Sequence, residues 1–304
     1  MKKIITVKNL QKEFEADRVL QNITMDVHEN EILVLLGPNG VGKTILLCCL
    51  TGGIMPSQGE VLINGKSPEL MEIKKQISFL LQGSMVINFL NGKENIDYFT
   101  RLHEKSTDKW KELVKKFEIE DELTKIVKNY SGGMKRKIEL IIALTMDTPI
   151  LIFDEPTTGL DLSMIRVFHD LLLKEKDKGK TVILSTHNPI NAEIADRIIF
   201  MRGTEAGSEI ITSDTPQGLL DQVPRIIRLT ASTAKINQRI ENHLLGERLF
   251  EKGGESIGFI SDDGSTLNQI KSIVADENPK CEVKMESPSY TDMFNYFTYI
   301  WQKE

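Results

Sequence analysis

The chain has 304 residues, 40% apolar and 27% charged, which allows a sizeable core in one large or two modest domains. A net charge of −6 argues against a broad nucleic-acid-binding surface. No apolar run approaches the ~20 residues of a membrane span and no leader is expected; Cys48, Cys49 and Cys281 have neither disulfide nor metal-ligand spacing and read as packing cysteines of a reducing compartment.

Residues 4–7 and 19–27 are strand-like and predict a small antiparallel layer beside a main sheet. Phe14, between Glu13 and Glu15, is either a core ring of this layer or a flat surface on which a purine could stack. Residues 32–36 form an apolar strand, Gly37-Pro38-Asn39-Gly40-Val41-Gly42-Lys43-Thr44 follows, and Ile45, Leu46, Leu47 and Leu50 carry helical spacing to a stop at Thr51-Gly52-Gly53. Strand, glycine loop and helix are the context that G-x-x-x-x-G-K-[ST] requires. The glycines let successive N–H groups curl round phosphate oxygens at the positive end of the new helix. Lys43 would reach the β- and γ-phosphates, and the Thr44 hydroxyl would hold Mg²⁺.

Residues 59–65 predict a strand ending in an Asn64-Gly65 turn, and 76–81 a second strand that delivers Gln82 at its tip. That amide is either a solvated loop group or one positioned to bond Mg²⁺-bound or attacking water. Asn91-Gly92-Lys93-Glu94 has the form of a capping box, opening a helix through about Arg101. Helical spacing at 109–117 and 120–127 makes this insertion mainly helical. Tyr130-Ser131-Gly132-Gly133-Met134 then starts a further helix; Ser131 can cap it, and the two glycines leave its start bare to an anion. The basic triplet 135–137 reads as a solvated face.

Residues 150–153 are apolar and end in Asp154-Glu155, two carboxylates that are unfavourable at a buried strand end unless a cation awaits them. Beside a phosphate loop, Asp154 can face Mg²⁺ and Glu155 can accept a proton from water attacking the γ-phosphate. A turn through Asp161, a helix over 164–173 and a buried strand over 181–185 lead to His187, placed to bond a γ-phosphate oxygen.

In this order the landmarks GPNGVGKT, Gln82, YSGGMKRK, ILIFDE, TTGLD and STH resemble the nucleotide-binding domain of ABC ATPases. The resemblance implies an α/β P-loop NTPase core over 1–206, with an antiparallel β subdomain and a helical subdomain at about 83–147. It also implies ATP and Mg²⁺ as cofactors. By resemblance Gln82 is the Q-loop residue and a third Mg²⁺ contact beside Thr44 and Asp154; Asp161 is the D-loop aspartate, His187 the switch histidine and Phe14 the ring that stacks adenine. Two copies would pack head to tail, with Ser131, Gly132 and Gly133 of one covering the γ-phosphate held at Lys43 of the other. Ile45 stands where the family often has a hydroxyl against the α-phosphate, and Tyr130 and Met134 replace the commoner Leu and Gln. No charged catalytic group is lost, so an active ATPase is expected.

Residues 207–304 read βαββαβ plus a last helix, a small α+β, ferredoxin-like domain. Its 15 acidic against 10 basic residues make a poor nucleic-acid module. The closing SPSYTDMF resembles the C-terminal extension of ABC-2-type export ATPases, and Tyr290, Phe294, Phe297 and Trp301 are expected to form one helical stripe. The expectation is an exporter ATPase on the cytoplasmic face of the membrane, working as a homodimer with a separate transmembrane permease subunit. No nucleic acid is expected; the alternatives are an importer ATPase, or a soluble ABC protein that remodels ribosomes or nucleic acid. The apolar residues Met85, Val86, Ile87, Phe89 and Leu90 after Gln82 could receive a short helix of the membrane partner.

Overall fold

The computed structural model describes residues 2–15, 17–102, 108–261 and 264–301, in two compact units, Met1–Ser213 and Asp214–Glu304. In the first, β1 (Lys3–Phe14), β2 (Asp17–His28), β3 (Ile32–Leu36), α1 (Lys43–Leu50), β4 (Gln58–Ile63), α2 (Met71–Lys74) and β5 (Ile77–Leu80) precede a helical insertion. The insertion comprises α3 (Gly92–Leu102), α4 (Trp110–Lys116) and α5 (Gly132–Thr145). Then come β6 (Ile150–Asp154), α6 (Leu162–Asp177), β7 (Thr181–Thr186), β8 (Arg197–Thr204) and β9 (Gly207–Asp214).

These strands make one nine-stranded sheet in the order β4-β1-β2-β9-β8-β3-β7-β6-β5. Strands β8, β3, β7, β6 and β5 are mutually parallel, and β3, β6 and β7 are buried at every residue, which is why their middles are apolar and the polar residues of β6 and β7 fall at strand ends. Strands β4, β1 and β2 are antiparallel and alternate, as a layer with one wet face must. Among the described residues, the two parts of the sheet meet at one backbone pairing, Leu20 with Ser208 of β9. Side chains carry the join: Leu20, Ile23 and Leu10 share a core with Leu33, Leu35, Leu46 and Leu47.

Asn91 and Glu94 form the expected reciprocal cap, each backbone N–H donating to the other's side chain at 2.8 Å. The expected helix at 120–127 is absent: only 3₁₀ turns, Glu120–Glu122 and Val127–Asn129, occur there. Their short repeat aims the Tyr130 ring inward, where its hydroxyl donates to the Glu122 carbonyl at 2.6 Å. This ring lies so close to Gly92 that a Cβ there would be 2.4 Å from the phenol oxygen.

The boundary expected after residue 206 falls where β9 is still part of the large sheet, and the first unit continues to Ser213. The second unit has α7 (Pro216–Asp221), β10 (Arg225–Thr230), α8 (Ala234–Ile240), β11 (Leu249–Lys252), β12 (Glu255–Ile260), α9 (Gly264–Glu277), β13 (Glu282–Glu286) and α10 (Tyr290–Asn295). Its sheet order β11-β12-β10-β13 is antiparallel throughout, as in a split βαβ arrangement. Helices α8 and α9 pack Ile236, Ile240, Ile270 and Val274 on Ile227 and Leu229. Of the aromatic stripe expected at the end, Phe297 and Trp301 lie with ring centroids 6.4 Å apart. After Asn295 the helix widens to a π-helix, Tyr296–Ile300, so Phe297 and Ile300 turn inward with Met293 while Tyr290 and Phe294 are only partly covered. Among the described residues no helix is long and apolar enough to cross a membrane.

Candidate active site

The site is built where β3, β6 and β7 end side by side. Leaving β3, the loop from Gly37 to Gly42 takes positive φ at Gly40 and Gly42, 85° and 76°, and enters α1 with no side-chain cap on its first N–H groups. Gly37 is required by proximity: a Cβ there would meet the Met201 carbonyl at 2.4 Å. Pro38 and Asn39 complete the turn, Val41 is buried in the core, and the Ile45 side chain packs against that same core.

Lys43 is buried, and its Nζ donates to the Gly37 and Pro38 carbonyls at 2.8 and 2.9 Å. Burial pushes its ammonium below the ordinary value, while Glu155 and then Asp154 pull it back. Thr44 Oγ1 donates to Asp154 Oδ2 at 2.7 Å, and the other Asp154 oxygen accepts from the Ser185 hydroxyl. Hydroxyl and carboxylate oxygens so placed suit a hard cation that takes few protein ligands and completes its shell from phosphate and water.

Glu155 follows β6 with φ of 47°, a left-handed conformation uncommon for a residue with a side chain. Its Oε2 lies 3.0 Å from His187 Nδ1 and 3.5 Å from Thr186 Oγ1. Its Oε1 is buried without a hydrogen bond, 3.5 Å from Lys43 Nζ. A buried carboxylate oxygen that faces a cation but makes no hydrogen bond keeps a lone pair with which to accept one. Gln82 is exposed just beyond β5, whose Leu80 pairs with Phe153, so the chain leaves the sheet beside Asp154 and Glu155.

The other expected groups belong to two helix starts. Ser131 caps α5, its Oγ accepting from Met134 N at 3.2 Å, and Asp161 caps α6, its Oδ1 accepting from Met164 N at 3.0 Å. Bonds from Ser163 and from the helix start hold the Asp161 carboxyl below its usual range. Gly132 has open space where a Cβ would go, whereas Gly133 abuts the Gly159 carbonyl, 2.6 Å from such a Cβ. Phe14, at the end of β1, is 42% exposed, with Lys12 Nζ 4.7 Å from the centroid of its ring.

Sequence reasoning missed four contributors. Arg136, assigned to a solvated face, is buried and bonds to the carbonyls of Asp154, Glu155 and Pro156. Glu139 pairs with it at 3.1 Å. Ser185 anchors Asp154, and fully buried Asn191 bonds Thr157, Thr186 and His169, bracing the turn after Glu155 against the end of β7. The signal was present for Arg136: it shares one helical face with Glu139, Leu140 and Ala143, all buried.

A family model described as ABC transporter matches residues 20–158. The uncharacterized ABC transporter ATP-binding protein YhcH of Bacillus subtilis (strain 168) is 33% identical over 207 residues, 66% of this chain and 68% of that protein. Phospholipid-transporting ATPase ABCA3 of Homo sapiens is 30% identical over 276 residues, 86% of this chain but 16% of that protein. Among solved structures, the dimeric bacterial ABC transporter cassette MJ0796 superposes with a TM-score of 0.63 at 26% identity, over 70% of this chain and 98% of that one. The same cassette in a post-hydrolysis state bound to ADP and Pi gives 0.61 at 25% identity, with the same coverage. Fold, motif order and site geometry agree with these likenesses: this chain belongs to the ATP-binding proteins of ABC transporters and is an ABC ATPase.

Proposed function

We propose that the chain energises a membrane exporter, with two copies closing head to tail around two MgATP and acting on separate transmembrane subunits at the cytoplasmic face. The observation that carries the catalytic part is the buried, unbonded Glu155 Oε1 beside Lys43 and His187. Glu155 would take the proton of the attacking water, and His187, Lys43 and Gln82 would orient that water and the γ-phosphate. Thr44, Asp154 and Gln82 would hold Mg²⁺, which when bound supplies charge neutralisation between the phosphates. The backbone from Gly37 to Ile45 would cradle the phosphates and Phe14 would stack the base. Ser131, Gly132, Gly133 and Asp161 would complete the partner copy's site, as helix starts facing an anion do.

Export rests on the closing SPSYTDMF, which resembles that of export ATPases, and a transport role for the whole chain on the likeness to ABCA3: 86% of this chain is more than its first unit, so the resemblance continues into the second. That relative is named for phospholipid transport, which makes a lipid one candidate cargo beside drugs and peptides such as bacteriocins. A docking place for the permease is the cavity of about 230 Å³ lined by Phe79, Met85, Phe99, Leu102, Ile142 and Met146, with Phe89 82% exposed on the same segment as Met85. A short amphipathic helix fits such a groove.

Glu155→Gln tests the reading. It should keep MgATP binding, slow hydrolysis by about 10²- to 10⁴-fold, and accumulate an ATP-bound dimer seen by light scattering. Unchanged turnover would remove Glu155 from its role; nuclease-sensitive copurification with RNA, and no integral membrane protein, would remove the exporter.

A further inference from the structure

We propose that Arg136 is a positioning residue for Glu155: it fixes the peptide that carries the carboxylate and, with Glu139, ties that peptide to both sides of Gln82. The inference rests on the reading of Glu155 as proton acceptor.

Arg136 stands on the second turn of α5, 5% exposed. Its Nη2 donates to the carbonyls of Asp154 at 2.7 Å and Glu155 at 3.0 Å, and its Nε to that of Pro156 at 3.1 Å. Three consecutive carbonyls are therefore gripped by one planar group, at the point where β6 stops being a strand. Glu155 needs that grip. A left-handed conformation at a residue with a side chain persists only where its surroundings over-determine it. On one side the Glu155 N–H donates to the Ser185 carbonyl and hydroxyl at 3.1 and 3.3 Å; on the other stands Arg136. Together they decide where the carboxylate points.

The remaining nitrogen reaches elsewhere. Nη1 donates to the Leu81 carbonyl and to Glu139 Oε2, both at 3.1 Å, and Glu139 Oε1 accepts from the Met85 N–H at 3.0 Å. Leu81 and Met85 bracket Gln82 in a segment free of regular structure. Two side chains on one rigid helix thus connect a displacement of 81–85 to the backbone of Glu155. A buried ion pair is a weak device for stability, since desolvation cancels most of its attraction. As a fork whose donors meet four carbonyls and one carboxylate, it is suited to geometry.

The test uses the full-length chain and MgATP. Arg136→Gln should lower kcat about 10- to 100-fold while the KM for MgATP stays within about threefold. Arg136→Lys, with a point charge in place of the fork, should recover only part of the rate. In a Glu155→Gln background, single-turnover hydrolysis should fall less than about twofold further on adding Arg136→Gln, because the arginine acts through Glu155. An equal fold-loss in both backgrounds overturns the proposal, as does wild-type turnover, or a raised KM with unchanged kcat. Should Arg136→Gln fail to fold, Glu139→Gln keeps an acceptor for Met85 but drops the counter-charge; its kcat should fall in the same sense, and an unchanged kcat overturns the proposal. Normal turnover in Glu155→Gln alone would instead sink the reading of Glu155, so the two failures are distinct.

Discussion

Thr44 Oγ1 and Asp154 Oδ2 lie 2.7 Å apart, so the first turn of α1 and the last residue of β6 touch through the two oxygens suited to one cation. Thr44→Val removes the hydroxyl at almost constant volume. MgATP turnover should drop at least about tenfold, with more Mg²⁺ needed for half-maximal rate, and Thr44→Ser should restore most of it. A Mg²⁺ titration of hydrolysis reads both; identical curves for Val and Thr would remove Thr44 from the metal site.

The glycines of the α5 start should separate by stability. Gly133→Ala pushes a methyl group toward the Gly159 carbonyl and should cost about 1–3 kcal/mol, read as a lowered Tm. Gly132→Ala meets open space in a helix and should leave stability unchanged or raise it by up to about 1 kcal/mol. If both still abolish ATP-driven dimerisation, Gly132 serves the interface while Gly133 serves the fold as well.

Gly92 and Tyr130 should be coupled. Tyr130→Phe leaves the Glu122 carbonyl without its 2.6 Å donor, a loss of about 0.5–1.5 kcal/mol. Gly92→Ala sets a methyl against the phenol oxygen and should cost more. Urea unfolding of the double variant should show less than the sum of the two losses, because removing the hydroxyl opens the space the methyl needs. Additive losses would disprove the coupling.

Acid stability should depend on Glu175. Burial by itself raises this carboxyl, but Lys109, Lys180 and Lys178 outweigh it and bring it from 4.5 to about 2. The depressed value means the stabilisation is present above the unfolded value, 4.5, and is lost as pH falls toward about 2. Lys178 is mostly exposed, so solvent screening discounts the gain to about 2 kcal/mol. Glu175→Gln should lose that much at pH 7 and show a flatter stability profile between pH 5 and 2. Parallel profiles would show that the cluster is inert.

What could be read in advance was what lies close along the chain. The phosphate loop, the Asp154-Glu155 strand end and the Ser131 cap each fit within eight residues, and their backbone geometry follows from glycine, strand and cap chemistry. Arg136 was hidden because its charge suggested solvent, although most of its helix is buried and its partners come from the ends of β5 and β6 and the residues just beyond them. Ser185 was hidden because its partner lies on the neighbouring strand. The 120–127 turns and the π-helix at 296–300 were misjudged for a common reason. A 3.6-residue period was imposed on segments whose tertiary anchors, the Tyr130 hydroxyl and the buried Phe297, impose another.

Among the described residues, Leu20–Ser208 is the one rung between the antiparallel layer and the rest of the large sheet. Leu20 is also the side chain facing Gly42, whose added Cβ would come within 2.8 Å of it, so that rung lies directly under the glycine loop. Across that seam the layer bearing Phe14 is held to the parallel strands by side-chain packing more than by a ladder of backbone hydrogen bonds. The loop that leaves β3 is therefore backed by a full parallel ladder on one side and by side-chain packing on the other.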